Sequence, residues 1–134
     1  MIRNVEFPEV KDVAVAVVPE INELNQTEWF IHVVNLGKTG ISNLMVTSKG
    51  FGIVNKETVK TTTLRRSLGD VSAESSVKVE SIPEELFKLN NEYWVSFYRE
   101  GKLYDKKYLF TPGIIKEKHL KDLPVLNTKG IWHP

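Results

Sequence analysis

Residues 93–110 read Tyr93-Trp94-Val95-Ser96-Phe97-Tyr98-Arg99-Glu100-Gly101-Lys102-Leu103-Tyr104-Asp105-Lys106-Lys107-Tyr108-Leu109-Phe110. Two aromatic-rich runs flank a Glu-Gly pair. That is the pattern of a β-hairpin with a two-residue turn, because glycine takes positive φ at little steric cost. Such a turn sets Phe97 opposite Tyr104 and Tyr93 opposite Tyr108, and aromatic pairs across strands fix register as well as adding stability. Alternation along the first strand then sends Val95 and Phe97 to a core and Trp94, Ser96 and Tyr98 to the opposite face.

The segments on either side extend the antiparallel β pattern. Val13 to Val18 is an unbroken β-branched and alanine run that stops at Pro19. Trp29 to Asn35 is apolar on both faces, with Trp29, Ile31 and Val33 on one side and Phe30 and Val34 on the other. A central strand, or one whose outer face is covered, has that pattern. Gly37-Lys38-Thr39-Gly40 reads as a turn, Leu44 to Ser48 as a strand broken by Gly50-Phe51-Gly52, and Val59 to Leu68 as a Thr-rich strand near an edge. Gly69-Asp70 turns the chain. Ser76 to Glu80 alternates, with Val77 and Val79 inward and Lys78 and Glu80 outward.

Two short helices are expected. Ser81-Ile82-Pro83-Glu84 has the spacing of a capping box and predicts a helix to about Leu89. Thr111-Pro112 opens a second candidate, Gly113 to Asp122, stopped by Pro124. The sum is an all-β chain of about seven strands. It reads as one antiparallel two-sheet domain spanning 1–134, with a helical or extended tail from about residue 111.

This order of strands resembles the immunoglobulin-like and fibronectin type III superfold. Tyr93 sits near the start of the penultimate strand, where that superfold often places a tyrosine whose hydroxyl bonds back to the backbone. The antibody cysteine pair is absent. The stretch Asn35-Leu36-Gly37, then Asn43-Leu44-Met45-Val46, resembles a hairpin of many bacterial immunoglobulin-like accessory domains. Its Asn and Gly shape the turn, and the apolar alternation after it enters the core. Over its whole length the chain resembles a group of small bacterial proteins, some labelled phenylalanyl-tRNA synthetase. A synthetase catalytic domain needs a much longer chain, so these residues do not support that activity.

Composition narrows the chemistry. With 134 residues, 41% hydrophobic and 26% charged, the chain can bury a core. A net charge of +1 gives no global field toward nucleic acid or an acidic membrane. There is no cysteine, hence no disulfide, thiolate nucleophile or Cys-based metal site. Met1 to Pro8 lacks the apolar stretch of a signal peptide, and the longest apolar run is too short to span a bilayer, so a cytoplasmic protein is expected.

No catalytic motif assembles. Gly37-Lys38-Thr39 lacks the earlier glycine of a phosphate-binding loop, His32 standing in its place, and a β-like segment follows it. His32, His119 and His133 share no metal-ligand spacing. Glu84-Glu85 suits a helix start. No cofactor or metal is expected. The leading reading is therefore a non-enzymatic binding module acting through an edge strand or the aromatic hairpin face, with Trp94, Tyr98, Tyr104 and Tyr108 as its aromatic candidates. Its protein partner is unspecified, and self-association through the same surface is a further reading. A second reading is RNA binding through Lys56, Lys60, Arg65 and Arg66, provided these four converge on one face; the alternative role for such charges is to keep an edge strand from aggregating. A third, a small carbohydrate- or ligand-active protein, requires Asp105 to face Glu92 or Glu100 in a pocket.

Overall fold

The computed structural model describes residues 8–134, so the N-terminal reading lies, up to Phe7, outside the described residues. Strands β1 (Val13–Ile21), β2 (Thr27–Asn35), β3 (Ile41–Val54), β4 (Glu57–Lys60), β5 (Leu64–Val71), β6 (Ser75–Ser81), β7 (Asn90–Arg99), β8 (Lys102–Phe110), β9 (Lys121–Asp122) and β10 (Lys129–His133) form two antiparallel sheets. Sheet one runs β6-β2-β1-β10-β9; sheet two runs β4-β3-β7-β8, with β5 also pairing β3. Among the described residues no helix is long and apolar enough to cross a membrane.

The two sheets bury a shared core. Val15, Val17, Ile31 and Val33 of sheet one meet Leu44, Val46, Val95 and Phe97 of sheet two in one apolar cluster. The hairpin has the expected register: Phe97 pairs with Tyr104, Tyr93 with Tyr108, and Arg99 closes on Lys102. Glu100 and Gly101 both take positive φ, +50° and +78°, the geometry of a type I′ turn, whose twist matches that of the flanking strands. The Phe97 and Tyr104 rings stack at 5.3 Å.

Strand β2 is central, between β6 and β1, and its second apolar face is covered as well. Leu123 packs on Ala16, Val18 and Val34, flanked by Val125, Leu126 and Trp132. The chain's own C-terminal segment thus closes the outer face of sheet one.

Several local expectations are corrected. Pro19 does not end β1, which continues to Ile21. The β1–β10 pairing spans only Val15 to Val17, so at Pro19 that side of β1 is an edge, where a missing N–H is tolerated. Gly50 and Gly52 do not break β3. They run through it, with Leu89 methyl groups 3.5 and 3.2 Å from where their Cβ atoms would be. Val59 to Leu68 is two strands, β4 and β5, set end to end along β3. Gly69-Asp70 lies inside β5, at a register shift rather than a turn.

Both expected helices are single 3-10 turns, Glu84–Leu86 and Glu117–His119. Ser81 ends β6 and caps nothing, because Ile82 donates its N–H to Trp29 and keeps the chain extended there. Residues of the second candidate helix instead add Lys121–Asp122 to sheet one as β9. The backbone-anchored tyrosine is Tyr108, whose hydroxyl donates to Val13 O at 2.6 Å, rather than Tyr93.

The Asn35-Leu36-Gly37 turn is built as its residues imply. Asn35 is fully buried and its Nδ2 donates to Thr39 O at 2.9 Å and Ser72 O at 3.0 Å. Its Oδ1 accepts from Gly37 N at 3.0 Å and from the Arg99 guanidinium. Gly37 leaves room for the Arg99 guanidinium, since a Cβ there would lie 2.7 Å from Arg99 Nη2 and displace it. One side chain thereby ties the β2–β3 turn, the β5–β6 turn and the turn end of the hairpin. Asn35→Ala leaves these buried groups without partners and is expected to cost about 2–4 kcal/mol in urea unfolding, beyond the roughly 1 kcal/mol of a single neutral bond. A loss under 1 kcal/mol would show that water replaces the amide.

Candidate functional site

The alternation that buries Val46, Tyr93, Val95 and Phe97 turns their neighbours outward. The outer face of sheet two is therefore a grid. In one row Arg65, Thr47, Trp94 and Lys107 lie side by side across β5, β3, β7 and β8; in the next come Ser67, Met45, Ser96 and Asp105. Lys49, Glu92 and Leu109 form a third row, and Tyr98 faces Leu103 near the hairpin tip. Trp94 is 43% exposed and Tyr98 40%, and Met45 and Leu103 are exposed beside them.

Charge on this face is mostly positive. The Glu92 carboxylate sits between Lys49 at 3.7 Å and Lys107 at 3.8 Å, and the Lys107 ammonium lies 6.0 Å from the Trp94 ring. Lys60 and Arg65 make no ion pair among the described residues. Toward β4 the face opens into a groove of about 770 Å³ lined by Lys49, Phe51, Ile53, Lys60, Asn90 and Glu92.

The sequence candidates separate on this frame. Trp94 and Tyr98 are on the face, as alternation required. Lys60 and Arg65 border it, through their pairing with Phe51 and Thr47. Lys56 is a turn residue between β3 and β4 with φ +67°. Arg66 points to the other side of β5, where its Nε donates to Glu80 at 3.1 Å. The four basic residues do not converge on one face. Tyr104 and Tyr108 are not surface platforms: Tyr104 is stacked on Phe97, and Tyr108 is buried. Glu92 is held by two lysines on the outer face, and Glu100 is in the hairpin turn, so neither forms a pocket pair with Asp105.

A second, smaller cavity was not anticipated. Ser48, Thr61, Glu80, Asn91 and Tyr93 line a cleft of about 270 Å³ where β5 and β6 meet. Glu80 is there because β6 bulges opposite Ile31 and His32, which breaks the expected alternation and turns its carboxylate inward. The carboxylate accepts from Ser48 Oγ at 3.2 Å and from Arg66. Burial, with the Glu80 charge adding to it, pushes the Tyr93 hydroxyl well above its ordinary range. Ser48 and Asn91 are polar residues at inward positions of their strands, and that is the one trace of this cleft in the sequence.

His32 is on the outer side of β2, between Ala16 of β1 and Lys78 of β6, and neither ring nitrogen has a hydrogen-bond partner. Burial lowers its pKa, the Lys78 ammonium lowers it further, and the Glu20 carboxylate opposes them. The unfolded chain therefore binds a proton below about pH 6.5 that the folded chain refuses, so stability is complete above that pH and falls as pH drops below it. The urea midpoint is expected to fall between pH 7.5 and 5.5. His32→Leu should remove much of that fall, and an unchanged slope in the variant would assign it to other groups.

No family model matches the chain, and no curated protein or solved structure matches it either. The residues of the face and the cleft carry the functional argument by themselves.

Proposed function

We propose that this chain is an immunoglobulin-like β-sandwich serving as a non-enzymatic binding module, and that the outer face of sheet two takes a protein segment carrying apolar and acidic side chains. The observation that carries this reading is the contrast between the two outer faces. The chain covers that of sheet one with Leu123, Val125, Leu126 and Trp132. On sheet two it leaves Met45, Trp94, Tyr98 and Leu103 exposed together. A clustered apolar surface of this kind is a recognition feature, and Trp, Tyr and Arg dominate binding energy at interfaces. Lys60 and Arg65, without ion pairs among the described residues, supply the charge that an acidic segment complements.

A peptide-display library selected on the immobilised protein tests this. Enriched peptides should combine acidic with aliphatic or aromatic residues and lose at least about tenfold in affinity on Trp94→Ala, the scale of a hot-spot side chain. Trp94→Ala should leave folding stability within roughly 1 kcal/mol, because the side chain is half-exposed. Absence of enrichment, or peptides indifferent to Trp94, would remove the face from consideration. Single-stranded RNA in a low-salt mobility shift is the competing arm. Retardation that weakens steeply with salt would reassign the face, since Arg65 and Lys107 also flank the Trp94 ring.

A further inference from the structure

Sheet edges differ in their capacity to pair. Strand β5 is interrupted by register shifts against β3, and β6 carries a bulge against β2. Strand β9 has two residues. Strand β8 has nine residues and pairs with β7 without a shift from Lys102 to Phe110. Among the described residues it is the long, regular edge, the kind that templates addition of another strand.

The hairpin fixes which backbone groups of β8 are free. Arg99 and Lys102 close a two-residue turn and so form a hydrogen-bonded pair, and such pairs alternate along an antiparallel ladder. Tyr104, Lys106 and Tyr108 therefore direct their N–H and C=O groups to β7. Leu103, Asp105, Lys107 and Leu109 direct theirs outward. In a symmetric antiparallel pairing these four must face one another across a twofold axis. An axis through Asp105 sets two carboxylates together, and an axis through Lys107 sets two ammonium groups together. An axis through Tyr104 sets Asp105 against Leu103 and carries Lys107 beyond the partner strand. An axis through Lys106 places Asp105 opposite Lys107 in both directions and Leu103 opposite Leu109.

We propose that β8 pairs with β8 of a second copy in this last register, joining the two copies of sheet two into one continuous sheet. Asp105 makes no ion pair within its own chain among the described residues, and its Oδ1 is buried without a hydrogen-bond partner. Lys107 has a long contact to Glu92 at 3.8 Å and lies 6.0 Å from the Trp94 ring. Asp105 thus lacks a charged partner in its own chain among the described residues, and Lys107 of the second copy would supply one by giving up its long contact to Glu92. Lys106, on the axis, points to the opposite side of the sheet, where its ammonium is held by the Pro134 oxygen at 3.0 Å and lies 4.8 Å from the Tyr108 ring. The exposed Leu103 gains an apolar neighbour from the second copy. Pairing leaves Trp94 and Arg65 uncovered, so it is independent of the peptide-binding reading and sets two such faces side by side.

Sedimentation equilibrium over a rising protein concentration reads the outcome. The wild-type chain should approach the dimer mass. Asp105→Lys alone places Lys against Lys, and Lys107→Asp alone places Asp against Asp, so each variant by itself should dimerise at least about tenfold more weakly. An equimolar mixture of the two single variants restores both opposite-charge contacts, and a heterodimer should form in it, visible as the mixed mass by native mass spectrometry. The double variant Asp105→Lys/Lys107→Asp should recover self-association, and Trp94→Ala should leave the mass unchanged. A wild-type monomer throughout, single variants that dimerise like wild type, or a mixture with no heterodimer overturns the proposal. A dimer abolished by Trp94→Ala overturns it as well, because association would then run through the face and not the edge.

Discussion

A chain ended after Thr111 is expected to lose its cooperative unfolding transition. The missing residues supply β9 and β10, and β10 pairs with β1 from Val15 to Val17 in the middle of sheet one. They also place Ile115 and Ile131 in the main core and Leu123 against Ala16, Val18 and Val34. Burial of an aliphatic side chain stabilises by roughly 1.5–3 kcal/mol, so these three alone account for about 5–9 kcal/mol. That equals much of the 5–15 kcal/mol typical of a whole domain. The truncation further exposes to water the outer-face residues Ala16, Val18 and Val34 of β1 and β2, which Leu123 covers. Near-ultraviolet circular dichroism and a thermal melt check the outcome, and a cooperative melt retained by the shortened chain would show the segment to be dispensable. Acrylamide quenching of the tryptophans checks whether this tail also covers the hairpin face. Trp94 is half-exposed in the 134-residue chain, so the tail does not cover it.

That division of labour was only half visible in the sequence. The two apolar faces of Trp29 to Asn35 announced that something must cover the outer side of β2, and the apolar residues near the C-terminus were available to do it. Which sheet they cover depends on β10 pairing with β1, a contact between opposite ends of the described chain that no local pattern encodes. The hairpin was legible to the residue pair because its turn, its aromatic pairs and its alternation are all local and agree with one another. The helices failed for the converse reason. Ser81 and Glu84 have capping spacing, but Ile82 is claimed by β2 and Pro83 follows it, leaving one 3-10 turn. The basic cluster failed because Arg65 and Arg66 are adjacent in a strand and so point to opposite faces, a consequence of the period of two.

The two candidate surfaces differ in the same way. Trp94, Ser96 and Tyr98 follow from alternation on one strand of the hairpin, whereas Met45, Thr47 and Arg65 join them only through the pairing of β3 with β7 and β5. The Glu80 cleft draws side chains from β3, β6, β7 and the β4–β5 connection, and it exists because a bulge turns one carboxylate inward. A bulge adds one residue to a ladder and shifts every later side chain, and nothing in Ser76 to Glu80 marks where it falls.

Phe97→Ala is expected to destabilise the chain by about 3–5 kcal/mol, the range for emptying a buried Phe site. Phe97 is 1% exposed and lies in the core shared by both sheets. Its ring stacks on Tyr104 and has the Arg99 guanidinium 6.0 Å from its centroid, so truncation removes a stacked pair as well as apolar area. The cavity is hard to fill, because Val95 is fixed by its strand and Tyr104 by its register. Phe97→Leu retains most of the volume and should cost less than half as much. The informative comparison is with Trp94→Ala on the same strand, which removes a larger aromatic side chain. If burial and not strand propensity sets the cost, the larger deletion is the cheaper one, at roughly 1 kcal/mol or below. Urea midpoints at a constant m-value measure both. Equal losses at the two positions would mean that Trp94 is covered and that sheet two has no free outer face.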